Sequence, residues 1–125
     1  MASRDTGTED LLADLDGGVL TLTLNRPQAR NAMSDEMNQA LARQLGQAAL
    51  DNDVRCVVLT GAGQGFCAGG DVKGMNERNA AGRSVSLDEA IHAQRVNQRE
   101  TAGRLFKMPK PTIAALPGAA AGAGL

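Results

Sequence analysis

Tryptophan and tyrosine are absent from the 125 residues, and phenylalanine occurs twice. A core without aromatic bulk must rest on Leu, Val, Ile, Ala and Met, which pack without hydrogen-bonding needs of their own. Histidine occurs once and cysteine twice, at Cys56 and Cys67. That supply falls short of the ligands a zinc site requires, so no metal is expected. Both cysteines read as reduced, small packing residues of a cytosolic protein, with Cys67 open to a second reading as a reactive loop thiol. The longest apolar stretch, residues 112–125, is too short and too rich in Ala and Gly to anchor in a bilayer, so no membrane partner is expected. Residues 1–10 are polar and have no apolar core of a secretory signal. No charge of one sign dominates. Thirteen basic against fourteen acidic residues leave a net charge of -1, and no global field recruits nucleic acid or an anionic surface. No internal repeat or low-complexity linker divides the chain, and its length fits one domain.

Glycine is abundant, with fifteen residues, and it clusters. Cys56-Val57-Val58-Leu59-Thr60 is a continuous apolar run, read as a strand buried on both faces. It opens into Gly61-Ala62-Gly63-Gln64-Gly65-Phe66-Cys67-Ala68-Gly69-Gly70, where the small residues leave backbone amides within reach of a ligand. The pattern recurs at Thr112-Ile113-Ala114-Ala115-Leu116, read as a second buried strand, which runs into Pro117-Gly118-Ala119-Ala120-Ala121-Gly122-Ala123-Gly124-Leu125.

The rest of the chain frames these two stretches. Residues 1–9 are expected to be a disordered tail, and 10–125 one domain. Residues 11–15 and the strictly alternating Val19-Leu20-Thr21-Leu22-Thr23-Leu24 flank Asp16-Gly17-Gly18, which reads as a hairpin with a glycine turn. Pro27 removes a donor and restricts Arg26, so the chain leaves the sheet and passes through Gln28-Ala29-Arg30-Asn31. Ser34, Asp35 and Glu36 mark a helix start. Met37, Leu41, Leu45 and Ala48 form the stripe of an amphipathic helix reaching about Leu50. The strand that follows favours a parallel crossover, which puts the first glycine loop at a carboxyl strand end, where open α/β sheets bind ligands. After Asp71, a helical turn near residues 72–75 gives way to polar residues 76–84, expected to be mobile and to serve substrate entry. Ser86 and Glu89 fit a capping box opening a helix to Lys107, with Leu87, Ile91, Leu105 and Phe106 on its apolar face.

Several chemistries fail on spacing. A dinucleotide-binding loop would need glycine where Phe66 stands, and neither glycine stretch carries the Lys and Ser or Thr pair of a phosphate-binding loop. A nucleophilic triad lacks a base, because the single histidine, His92, lies in a polar helix and reads as a surface residue. What survives is backbone chemistry: two small-residue turns whose free amides could converge on one oxygen. The alternative is that the glycines only permit tight turns and close packing.

Three blocks carry a resemblance. Leu24-Asn25-Arg26-Pro27-Gln28-Ala29-Arg30-Asn31-Ala32, then Leu59-Thr60-Gly61 with Phe66-Cys67-Ala68-Gly69-Gly70-Asp71, then Lys110-Pro111-Thr112-Ile113-Ala114-Ala115-Leu116-Pro117-Gly118 through Gly124 strongly resemble the enoyl-CoA hydratase/isomerase (crotonase) family. They occur in order and at fitting separations, although Pro117 stands where the family often has Asn. The resemblance implies an α/β fold, a crotonase-like spiral of ββα turns, of which this is the N-terminal portion. It implies a cytoplasmic acyl-CoA hydratase or isomerase of fatty acid metabolism, acting on a CoA thioester through an enolate. The oxyanion hole would be formed by the amides of Gly70 and Ala123. Ala in place of Gly at 123 is tolerable because the function belongs to the amide. Gln28, Ala29, Arg30, Ala68 and Asp71 are the implied substrate-binding residues, the first three near the pantetheine and nucleotide portions of CoA. Coenzyme A enters as part of the substrate, so no separate cofactor is implied. Full-length members assemble as homotrimers or hexamers.

Hydratases of this family carry an acid/base Glu two residues after the second glycine of the terminal motif, here position 126, and another further on. The chain to Leu125 is therefore expected to be inactive alone. Asp71, Glu77, Glu89 and Glu100 read as a turn cap, a loop charge, a capping-box partner and a helix surface charge. Two rival readings are a non-catalytic module that binds CoA thioesters and an inactive fragment.

Overall fold

The computed structural model describes residues 2–70 and 86–125. The segment expected to form a helical turn and a mobile loop, residues 72–84, lies outside the described residues. Two strands, β2 (Leu11–Asp16) and β3 (Val19–Leu24), pair antiparallel as a hairpin. Gly17 and Gly18 turn the chain at φ 59° and 85°, the positive values that a two-residue hairpin turn imposes and side chains resist. Arg55 Nη2 donates to Gly17 O at 3.0 Å and ties the turn to the next strand.

The alternation in β3 sorts its side chains. Leu20, Leu22 and Leu24 are buried, as are Leu11 and Ala13 of β2 on the same face. Onto this face packs α1 (Asp35–Leu50), whose stripe of Met37, Ala40, Leu41, Leu45 and Ala48 completes the core with Val54 and Val57. Burying each such Leu is worth about 2 kcal/mol. The helix begins where expected. Ser34 Oγ accepts from Met37 N at 3.1 Å and donates to Asp10 Oδ2 at 2.5 Å. Its far end is closed by Lys110, whose Nζ donates to Ala48 O at 2.6 Å and Asp51 O at 2.5 Å. A cation there meets both the free carbonyls and the negative end of the helix dipole.

After α1 the chain returns as β4 (Cys56–Gly61), parallel to β3, and later as β5 (Thr112–Ala115), parallel to β4. With an edge strand β1 (Ala2–Arg4), the sheet order is β1-β2-β3-β4-β5. Three readings of the sequence need correction. The tail expected to be disordered carries β1 (Ala2–Arg4), paired antiparallel with β2 through Ala2–Leu15, Ser3–Asp14 and Arg4–Ala13. Backbone pairing asks little of side chains at an exposed edge, and Thr6 Oγ1 holds the following turn by donating to Leu11 O at 2.6 Å. In β4 only Val57 is fully buried, while Val58 and Leu59 are half-buried. Residues 112–115, expected to be buried, are exposed along β5, because among the described residues β5 has a neighbour on one side only.

The capping box is present at Ser86, whose Oγ accepts from Glu89 N at 3.2 Å, and it opens α2 (Leu87–Gln98). A π turn over Arg99–Gly103 leads into α3 (Arg104–Phe106). The expected apolar face is mostly not packed: Leu87, Ile91 and Phe106 are exposed, and only Leu105 reaches the core. The register is set instead by Arg104, which donates from Nη1 to Ala42 O of α1 and pairs with Glu100. Among the described residues no helix is long and apolar enough to cross a membrane.

Asp51, at the end of α1, makes one pH-dependent contribution. Asp53 N donates to its Oδ1 at 2.9 Å and Arg4 Nη1 stands 3.0 Å from its Oδ2. The backbone donor first and the guanidinium second hold this carboxyl below its ordinary pKa. A carboxylate with a lower pKa when folded adds stability above its unfolded pKa of about 3.9 and loses it as pH falls through the folded value. Asp51→Asn should therefore reduce the fall in Tm between about pH 5 and pH 3. Acid melts of identical slope in the two proteins would refute the contribution.

Candidate active site

Three loops leave the sheet at the carboxyl ends of its three parallel strands and stack in the same order as those strands. The first follows β3. Pro27 begins a 3-10 turn over Pro27–Ala29, with Ala29 N and Asn31 N both donating to Arg26 O, at 2.9 and 2.8 Å. Arg30 and Asn31 then adopt left-handed backbone, φ 53° and 57°, and redirect the chain into α1. Gln28 and Arg30 are exposed and Ala29 is half-buried.

The second loop, residues 61–70, lies in the middle of the stack. Ala68 N donates to Arg30 O at 3.0 Å, and Met33 N donates to Gly69 O at 2.8 Å, so its last part runs parallel to the first loop. On its other side Phe66 N donates to Ala119 O at 3.0 Å and Ala121 N donates to Cys67 O at 3.0 Å. The third loop, after β5, is thereby paired with the second. It ends in a 3-10 turn over Gly122–Gly124. The close approach explains the small residues at the junction: a Cβ on Gly118 would overlap the carbonyl oxygen of Gln64.

Of the residues singled out in the sequence, Ala68 and Arg30 are joined directly, and Gln28 and Ala29 lie on the same turn as Arg30. Gly70 and Ala123 are both exposed. A Cβ built on Gly69 would stand 3.5 Å from Ala123 N and 3.2 Å from Ala121 O, so the third loop passes Ala123 alongside the residue before Gly70. Neither the Gly70 nor the Ala123 amide has an acceptor among the described residues. Asp71 and Glu77 lie outside the described residues.

Other candidates fall away on position. Cys67 is 1% exposed, and its Sγ donates to Asn31 O at 3.2 Å and accepts from Gly69 N at 3.4 Å. It packs the loop stack and lacks the access a nucleophile needs. His92 is exposed on α2. Glu100 is engaged with Arg104 and Arg99. A recess of about 310 Å³ lies between α1 and α3, lined by Leu45, Ala49, Leu50, Met108 and Pro109 among others, and includes no residue of the three loops. Asn31 is not among the residues that the sequence singles out, yet its side chain is buried between the first two loops. Its place after a proline turn was the only local signal.

Residues 19–125 match the family model described as enoyl-CoA hydratase/isomerase. The chain is 45% identical over 116 residues to 1,2-epoxyphenylacetyl-CoA isomerase of Escherichia coli strain K12, covering 93% of this chain and 43% of that protein. It is 38% identical over 124 residues to enoyl-CoA hydratase EchA19 of Mycobacterium tuberculosis, covering 99% of this chain and 44% of that protein. The crystal structure of an enoyl-CoA hydratase from Mycobacterium smegmatis matches with a TM-score of 0.70 at 40% identity, over 84% of this chain and 38% of that one. The chain thus spans less than half the length of these relatives, and its sheet and helices correspond to the N-terminal portion of their crotonase-like α/β fold. By sequence and by fold, it belongs to the enoyl-CoA hydratase/isomerase family.

Proposed function

We propose that this chain supplies the thioester-holding part of an acyl-CoA hydratase or isomerase. The observation that carries the reading is the loop stack, which sets Ala123 beside Gly69 and leaves the Gly70 and Ala123 amides without acceptors among the described residues. A thioester carbonyl lodged there would receive two N–H donors. As the α-carbon loses a proton or the β-carbon gains a nucleophile, charge builds on that oxygen as an enolate, and the donors bind it more tightly than the neutral carbonyl. Each such donor is worth about 3 kcal/mol of transition-state stabilisation. Gln28, Ala29 and Arg30, with Ala68, would line the groove for the CoA arm, where the exposed Arg30 guanidinium suits phosphate. Asp71 completes the set on the family resemblance, as do the cytoplasmic setting, the link to fatty acid metabolism and assembly as trimers or hexamers.

Proton transfer is assigned to the glutamates that the resemblance places at position 126 and beyond. Of the carboxylates considered within the chain, Glu89 sits on the exposed first turn of α2 and Glu100 is ion-paired. Among the described residues neither is placed to move a proton, which favours a second reading, in which these residues bind a CoA thioester without turning it over. Titration with acetyl-CoA in a calorimeter, together with the ultraviolet absorbance of crotonyl-CoA, separates the two. Heat at submillimolar ligand with stable crotonyl-CoA absorbance and no rise in absorbance from a 3-enoyl-CoA is the result for binding alone; falling crotonyl-CoA absorbance is the result for a hydratase, and rising absorbance from the 3-enoyl-CoA is the result for an isomerase. No heat at millimolar acetyl-CoA overturns both.

A further inference from the structure

Asn31 is 1% exposed, yet it is polar and lies between two loops that must be correctly spaced for any ligand to touch both. A buried amide is tolerated when its donors and acceptor are all used, and here they are. Oδ1 accepts from Arg26 N at 2.8 Å. Nδ2 donates to Ala62 O at 2.9 Å and to Gly65 O at 3.1 Å. The acceptor end therefore holds the start of the turn that carries Gln28, Ala29 and Arg30. The donor end holds two points on the loop that delivers Ala68 and Gly70. The backbone of the same residue adds to the link, since Asn31 O receives the Cys67 thiol at 3.2 Å.

We propose that Asn31 is the positioning residue that fixes the spacing of the first two loops of the thioester site; the proposal rests on the reading of these loops as that site. It does not touch the ligand, being buried beneath both loops. Its residue type follows from its partners. One side chain must accept at one end and donate twice at the other, within reach of three backbone atoms and from a left-handed backbone of φ 57°. Asn accepts that conformation more readily than most residues. Asp keeps the acceptor for Arg26 N but turns a carboxylate oxygen toward the carbonyls of Ala62 and Gly65, replacing two attractions by repulsion. Gly61 must stay without a side chain for this contact, because a Cβ there would stand 2.9 Å from Asn31 Nδ2.

The test uses the full chain and two ligands, acetyl-CoA and 3′-phospho-ADP, the latter keeping the nucleotide end of CoA and lacking the thioester. In Asn31→Asp with a cooperative melt, acetyl-CoA affinity should fall at least tenfold while that of 3′-phospho-ADP stays within about threefold, because only the thioester spans both loops. Acetyl-CoA affinity within twofold of the unsubstituted protein overturns the proposal, and so does an equal loss for both ligands. If Asn31→Asp does not melt cooperatively, the same ratio decides on Asn31→Gly, which keeps the backbone conformation and removes the whole amide. Failure of both variants to fold also overturns it, since Asn31 would then hold the fold and not the site. If the unsubstituted chain binds neither ligand, the thioester reading fails by itself. The spacing role is then judged by amide exchange, which should quicken in Asn31→Gly at residues 26–33 and 61–70 and leave β2, β3 and β4 protected.

Discussion

Ala123→Pro should weaken acetyl-CoA binding about tenfold, the loss of one useful hydrogen bond to a carbonyl. Any turnover of crotonyl-CoA should fall about 10²- to 10³-fold, because a single donor to a developing oxyanion has that weight. The substitution deletes one N–H and adds a ring. That N–H has no acceptor among the described residues, so no internal hydrogen bond is lost with it. Ala123 is the middle residue of a 3-10 turn that Gly122 enters at φ 53°; a proline restricts the residue before it, so the melt of this variant is measured alongside its binding. Ala123→Gly is the matched control, since it trims the side chain and keeps the amide; its affinity should stay within about twofold. A chromophoric dienoyl-CoA adds a direct readout, because two donors on its carbonyl shift its absorbance to the red. The oxyanion assignment is lost if Ala123→Pro, with an unchanged melt, binds acetyl-CoA and shifts the chromophore like the unsubstituted chain.

Gly118→Ala should lower stability by about 1–3 kcal/mol, or a drop in Tm on the order of 5 °C or more. The new methyl would meet the Gln64 carbonyl oxygen and lie 3.2 Å from the Gly65 Cα. Backbone cannot swing aside as a flexible side chain does, so the second and third loops must separate. The consequence reaches the site, since the bonds from Phe66 N and Ala121 N that join these loops flank the contact. Thioester binding should therefore fall along with Tm. Gly65→Ala is the comparison, because a Cβ there meets only Ala119 O at 3.8 Å, an ordinary contact, and its effect should stay within about 0.5 kcal/mol. Equal melts for Gly118→Ala and the unsubstituted chain would show that the loops do not need to be this close.

What was legible in the sequence was local. The Gly17-Gly18 turn, the Ser34 cap and the Met37, Leu41, Leu45 and Ala48 stripe depend on neighbours within a few residues, and each is found in the structure. The three motif blocks also carried the family, because their small residues answer a need for close backbone approach. Burial was less legible. Residues 112–116 have the composition of an interior strand, but exposure depends on what covers a strand, and β5 has one neighbour among the described residues. β1 was missed for the opposite reason: Ala2, Ser3 and Arg4 pair through backbone, which carries no sequence signature. Asn31 could not be singled out, because its partners Ala62 and Gly65 lie 31 and 34 residues away and a polar residue in a turn is ordinary. Of the residues that the resemblance implies for substrate binding, the structure joins Ala68 to Arg30.

The loop stack also bears on how the protein reaches its native state. The β2–β3 hairpin closes over a two-residue turn, so its contacts form early at little entropic cost. The stack joins residues near 30, near 67 and near 120, and its middle loop is held from both sides. Contacts of such sequence separation carry a larger loop-closure cost than the hairpin's, so the stack is expected to form after the hairpin and to open before it, an order that amide exchange would check. A ligand that spans the loops binds only the fully assembled chain. It should retard unfolding more than it speeds folding, as expected for contacts absent from the transition state.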